Sequence, residues 1–124
     1  MKSGYINLVD LDFEYKIWKL RLEHFINEMS VVKERNEEVK GERSIDELTS
    51  KELVHINKHS EELELTLNRI KVQEQELHFY NKDFPITQKH QFYTEHEIIR
   101  GRVEEVSKKH IDFLNRLMRD LTIK

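Results

Sequence analysis

Seven histidines and no cysteine make imidazole and carboxylate the ligand chemistry this 124-residue chain has to offer. His55 and His59 stand four apart, a spacing that sets two imidazoles on one face of a helix, where both can reach one metal ion. His24 is followed one turn later by Glu28, and His59 by Glu62 three residues on. With His110 these residues make a candidate metal set of His24, His55, His59, His110, Glu28 and Glu62. Neutral imidazole beside carboxylate between helices suits zinc, or iron in an oxygen-handling or redox role. The same residues have a plainer use. A polar side chain in an apolar seam fixes the register of packed helices, as a single buried Asn does in coiled coils.

These side chains meet only if the chain carries them on elements that bring them to one height. One Pro and three Gly leave few turns, so long uninterrupted elements are expected. Apolar residues fall at Leu11, Tyr15, Trp18, Leu22, Phe25, Met29, Val32 and Val39, with Asn36 in the one polar slot. These alternating steps of four and three are the rhythm of helices packed side by side. Asp10 or Asp12 is the expected cap, and Gly41 suits the position where this helix stops. Ser44-Ile45-Asp46-Glu47 reads as a capping box, with a second at Thr49-Ser50-Lys51-Glu52. The next seam carries Leu53, Ile56, Leu63, Leu67, Ile70 and Leu77, with His59 or Ser60, Thr66 and Gln73 or Glu74 as polar inward positions. Pro85 disfavours helix at Phe84 and breaks the pattern. Thr87 is the expected cap of a third helix with Phe92, His96, Ile99, Val103, Val106, His110, Phe113, Leu117 and Leu121 inward.

The expectation is therefore one all-α domain over 1–124, three long antiparallel helices running up, down and up at about 11–40, 45–80 and 88–121. At roughly 1.5 Å per residue each spans about 45–55 Å, and residues 1–9 form an extended lead-in. Short connections force neighbours to run antiparallel. Positions equally far from a turn then share a level, which puts His59 at the height of Phe25 and His110, with His24, Glu28 and Glu62 within a turn. A second level brings His96 to Glu14 or Asp12 and to Gln73 and Glu74. There a carboxylate beside the imidazole would raise the histidine pKa and could sense pH, although the level's place near the frayed end of the first helix favours a merely structural contact.

Charged residues form 36% of the chain, a share that suits thin helical rods, each exposing most of its circumference. The net charge of −3 with both signs interspersed gives no nucleic-acid footprint. Zero Cys excludes disulfides, thiolate metal sites and thiol nucleophiles. No signal-peptide run or membrane-length apolar segment appears, so a cytoplasmic chain without membrane contact is expected. Leu65, Val72 and Phe79 form a second apolar row on the middle helix, and Ile98, Ile111 and Met118 add to it on the third. This surplus is compatible with a homodimer of bundles or another protein partner.

No Gly-rich phosphate loop, Gly-x-Ser-x-Gly elbow or serine with a base arranged around it occurs. In length and in the placing of His24 and His55 the chain resembles hemerythrin. It departs at Lys58 and His59, where a His-x-x-x-Glu pair belongs, and at Asp112, wrongly spaced from His110. Ferritin-like di-iron proteins need Glu-x-x-His on two helices, and only Glu52-x-x-His55 is present. Phe13-Glu14-Tyr15-Lys16-Ile17-Trp18, Phe84-Pro85, His90, Phe92, Glu95-His96 and Arg100 resemble the pattern of small uncharacterised helical proteins of Bacteroidota-type bacteria. That resemblance implies a helical bundle and supplies no activity, cofactor or site residue. The function expected is a non-enzymatic helical interaction or scaffold protein whose seam histidines set register. The alternative is an iron- or zinc-binding bundle.

Overall fold

The computed structural model describes residues 4–42, 47–80 and 84–122. Along the chain run β1 (Tyr5–Asn7), α1 (Leu8–Glu38), α2 (Ser50–Leu77), β2 (Pro85–Thr87) and α3 (Gln91–Asp120). It is an all-α three-helix bundle. α2 runs antiparallel to both neighbours, and α1 and α3 lie parallel.

The small sheet is the one element the sequence pattern did not suggest. β1 pairs antiparallel with β2 in the register Tyr5↔Thr87, Ile6↔Ile86 and Asn7↔Pro85. Ile86 is buried, so this two-strand clasp closes one end of the core. The clasp also corrects two expected caps. Because β1 hands straight over to α1, the helix begins at Leu8, and Asn7 caps it without a side-chain hydrogen bond. Asp10 stands in the first turn, where its charge meets the positive end of the helix dipole. Asp12 is buried inside the helix with Lys16 Nζ at 3.0 Å from Oδ2. Thr87 is likewise taken up by β2, and the cap of α3 is His90, whose Nδ1 accepts from the Phe92 amide at 3.1 Å.

α2 starts later than expected. The box at 44–47 falls largely outside the described residues, and residues 47–49 are not helical. The second box is formed: Thr49 Oγ1 accepts from the Glu52 amide at 3.2 Å, and Glu52 Oε1 accepts from the Thr49 amide at 3.0 Å. These reciprocal bonds satisfy two donors that no helical carbonyl can reach, which is why the helix begins there. Gly41 adopts φ +86°, a left-handed turn after α1 that a side chain would strain. The turn is tied back by Asn36, the polar slot in the seam, whose Oδ1 accepts from the amide of buried Leu48 at 2.8 Å.

The seams predicted from periodicity form the core. Leu22, Ile56, Leu63, Ile70 and Ile99 are fully buried where the three helices meet. Each such side chain contributes about 1.5–3 kcal/mol relative to exposure. The seam therefore fixes the helix faces and points His59, His96 and His110 inward with them.

Candidate functional site

Two polar levels cross the apolar core. At the first, each helix supplies one member. His59 of α2 and His110 of α3 are joined at 2.9 Å between Nε2 and Nδ1. His110 Nε2 lies 2.9 Å from Oε1 of Glu28 on α1. Phe25 stacks on the His110 ring at 4.1 Å between centroids, and Phe113 meets His59 edge-on.

The proton arrangement follows from these distances. A carboxylate accepts, so His110 Nε2 donates to Glu28 and its Nδ1 is left to accept; His59 Nε2 must then donate to it. The result is a one-way chain from His59 through His110 to Glu28, which requires His110 neutral so that its Nδ1 can accept, while His59 only has to carry its proton on Nε2. Burial pushes both pKa values below the ordinary 6.5. For His59 the neighbouring imidazole pushes the same way, and Glu62 opposes too weakly to reverse it. For His110 the opposing hydrogen bond and charge of Glu28 are likewise outweighed.

Of the candidate metal set, His59, His110 and Glu28 are brought together and the rest stand at the rim. His24 is exposed, with its Nε2 3.8 Å from the other oxygen of Glu28. His55 is exposed and Glu62 half-buried; both line an open groove between α2 and α3 with His59, Lys109 and Asp112. Among the described residues no group of three or more such side chains is arranged to hold a metal ion. Two nitrogens sharing a zinc ion converge on it from about 2.0–2.1 Å each; here they point at one another and share a proton.

The second level lies near the clasp. His96 is wholly buried, with Nε2 at 3.3 Å from Glu14 Oε1. Arg100 grips the same carboxylate on both oxygens, at 2.9 and 2.8 Å. The His96 ring stacks on Trp18 at 4.8 Å and meets Tyr15 edge-on at 4.6 Å. Burial raises the Tyr15 hydroxyl far above its usual range. Glu14 meets His96 as expected, whereas Glu74 pairs with Lys19 of α1 at 2.9 Å. The expected pKa rise is not found. Burial lowers the His96 value, and Glu14, its charge shared with Arg100, does not restore it.

Arg100 was not anticipated as the third member of this level. The signal was present: it stands one turn after His96, on the side that faces Glu14. The Arg69–Glu95 ion pair between α2 and α3 carries no such pattern, because both residues lie at seam edges.

Neither family models, nor curated proteins, nor solved structures yield a match to this chain. Its function has to be argued from the geometry alone.

Proposed function

We propose that the chain is a non-enzymatic helical interaction protein, in which buried histidine levels set the register and apolar residues outside the core bind another protein. One observation carries this reading. After the core has closed, Leu65 and Val72 remain exposed at 64% and 54% on one face of α2, and Phe79, in the turn just past the helix end rather than on the helix as expected, continues the seven-residue spacing at 83%. Scattered exposed apolar residues are ordinary, whereas an aligned row is the mark of a contact surface.

The histidine level supports the scaffold half of the reading. Sliding α3 by one turn past α1 and α2 would separate His110 from both partners at once. The cost is one buried and one half-buried hydrogen bond, about 1–3 kcal/mol for each buried group left unsatisfied and less for the partly exposed Glu28. An apolar seam alone, with leucines and valines exchangeable between layers, discriminates much less between registers. Such a bundle holds its outer rows in fixed positions, as a binding surface requires.

Photo-crosslinking tests the proposal. A photoreactive residue at 65 or 72 is expected to trap a discrete protein adduct in cells, while the same residue at exposed Glu64 traps none. Absence of adducts from every apolar row overturns the interaction reading.

A second reading, a metal-binding bundle, is favoured by the meeting of His59, His110 and Glu28 with His24 close behind. Zinc or iron would have to displace the shared proton and turn His59 or His110. Stoichiometric metal on the purified chain, lost in a His59→Ala/His110→Ala double variant, would replace the first reading with this one.

A further inference from the structure

The longest helix has a second seam. α1 buries Leu11, Tyr15, Trp18, Leu22, Phe25, Met29 and Val32 on the side facing α2 and α3. On the opposite side Phe13, Ile17, Leu20, His24, Asn27 and Val31 repeat the same alternation of four and three. All six are exposed, Phe13 and Leu20 by about two thirds (64% and 65%). A helix serving one bundle needs one apolar face. The α2 row, by contrast, has Asn68 and Gln75 in the intervening slots, so α1 offers the more continuous surface.

We infer that this outward row joins two copies of the chain, α1 against α1 and antiparallel, about a two-fold axis passing between positions 18 and 19. The inference deepens the interaction reading above by naming the partner. In that register Ile17 packs on Leu20 of the second copy, and Phe13 on His24 of the second copy, each contact occurring twice.

The charges beside the row select both the partner and the direction. Lys16 and Glu23 border it on one side, Glu14 and Arg21 on the other. Antiparallel pairing sets Lys16 opposite Glu23 of the second copy and Arg21 opposite Glu14 of the second copy, so every facing pair is opposite in sign. Parallel pairing would instead put Lys16 beside Arg21 and Glu23 beside Glu28, all like-signed. Self-complementarity of this kind is what a closed two-fold interface demands. Glu14 is already held by Arg100 and Lys16 by Asp12, so the exposed partners Glu23 and Arg21 are the informative positions to change. The contact spans few turns of a single helix pair, so the dimer belongs with small, weak interfaces and dissociates in the micromolar range or above.

Sedimentation equilibrium of the full chain, from low micromolar to millimolar concentration at low salt, tests this. The expected result is a reversible monomer–dimer equilibrium. Leu20→Glu, which sets two carboxylates near the axis, is expected to weaken it at least about tenfold. Glu23→Lys and Arg21→Glu should each weaken it as well, since each then faces a like charge of the second copy. In a parallel dimer Glu23→Lys would strengthen association instead, which overturns the proposal. All three positions are exposed, and unchanged melting of each variant by circular dichroism verifies that folding is not what moved. A chain monomeric at millimolar concentration sinks the inference. So does a dimer lost with Val72→Glu and indifferent to Leu20→Glu, although that outcome leaves the broader interaction reading standing. A monomer that also gives no crosslink from the α2 row sinks both.

Discussion

The two histidine levels start from the same parts and end as different devices. In each, a buried histidine of α3 faces a glutamate of α1 exactly two heptads from its counterpart: His110 with Glu28, and His96 with Glu14. What separates them is the third member. At the first level α2 adds His59, a neutral donor, and the three helices share one proton-ordered chain. At the second, Arg100 comes from α3 itself and satisfies the carboxylate with charge, so that the level is an ion pair with a histidine attached. One polar contact repeated along a seam thus becomes a neutral lock or a charged clamp according to a single neighbouring side chain.

The sharpest way to break the comparison is to remove the shared imidazole from the lock. His110→Ala leaves the His59 donor and a Glu28 oxygen without their partner and opens a space against Phe25. A loss of about 3 kcal/mol is expected in urea unfolding. The same change at the clamp, His96→Ala, removes the ring packed between Tyr15 and Trp18 but spares the Glu14–Arg100 pair, and is expected to cost less. Equal losses would mean that the hydrogen-bonded chain adds nothing beyond packing.

Acid acts on both levels in one direction. His59, His96 and His110 all have folded values depressed below the free value of 6.5, chiefly by burial. Between those values and 6.5 the unfolded chain binds protons that the folded chain does not, so stability rises with pH. It should be complete above about pH 6.5 and decline as pH falls below it, by up to about 1.4 kcal/mol per pH unit for each proton taken up. The lock, with two imidazoles against the clamp's one, should account for most of that slope. Unfolding free energies from pH 7 to 5 on wild type, His59→Gln/His110→Gln and His96→Gln will show it. A slope unchanged in the lock variant would contradict the neutral-chain assignment.

A smaller effect is expected at the clamp's surface end. Glu14→Gln keeps the shape but leaves Arg100 only the exposed carboxylate of Glu97. Glu14 and Arg100 are both about one third exposed, and solvent screening limits the loss to about 1 kcal/mol. It should shrink further at high salt, whereas the His110→Ala loss should not.

How much of this was legible in the sequence depended on periodicity and on burial. The alternating four-and-three pattern located the buried residues of α3 and those of α1 apart from Leu8, which it left to the lead-in, and Asp12, which it left to a cap; counting from the turns placed His59 level with Phe25 and His110. Hidden from that reasoning was anything set by a contact between distant, short segments. Ile6 and Ile86 give no periodic signal in three-residue strands, so the clasp went unseen, and with it the caps at Asn7 and His90. The sign of the His96 shift was misjudged for a different reason. The sequence shows that a carboxylate lies near but not how fully the ring is buried, nor that Arg100 competes for the charge.

The smallest expected effect concerns the two rim histidines, which separates the lock from a metal site. His24 is 69% exposed at its side chain and 3.8 Å from a carboxylate that His110 already holds on its other oxygen. His55 is exposed on the groove wall. An exposed pair at that distance contributes within about 0.5 kcal/mol. The double variant His24→Gln/His55→Gln should therefore unfold as wild type does, with and without added zinc. Were these two residues ligands, zinc would raise the melting temperature of the wild-type chain by binding the folded form, and the double variant would lose that gain. A zinc-dependent gap between the two proteins would turn the lock into a metal centre awaiting its ion.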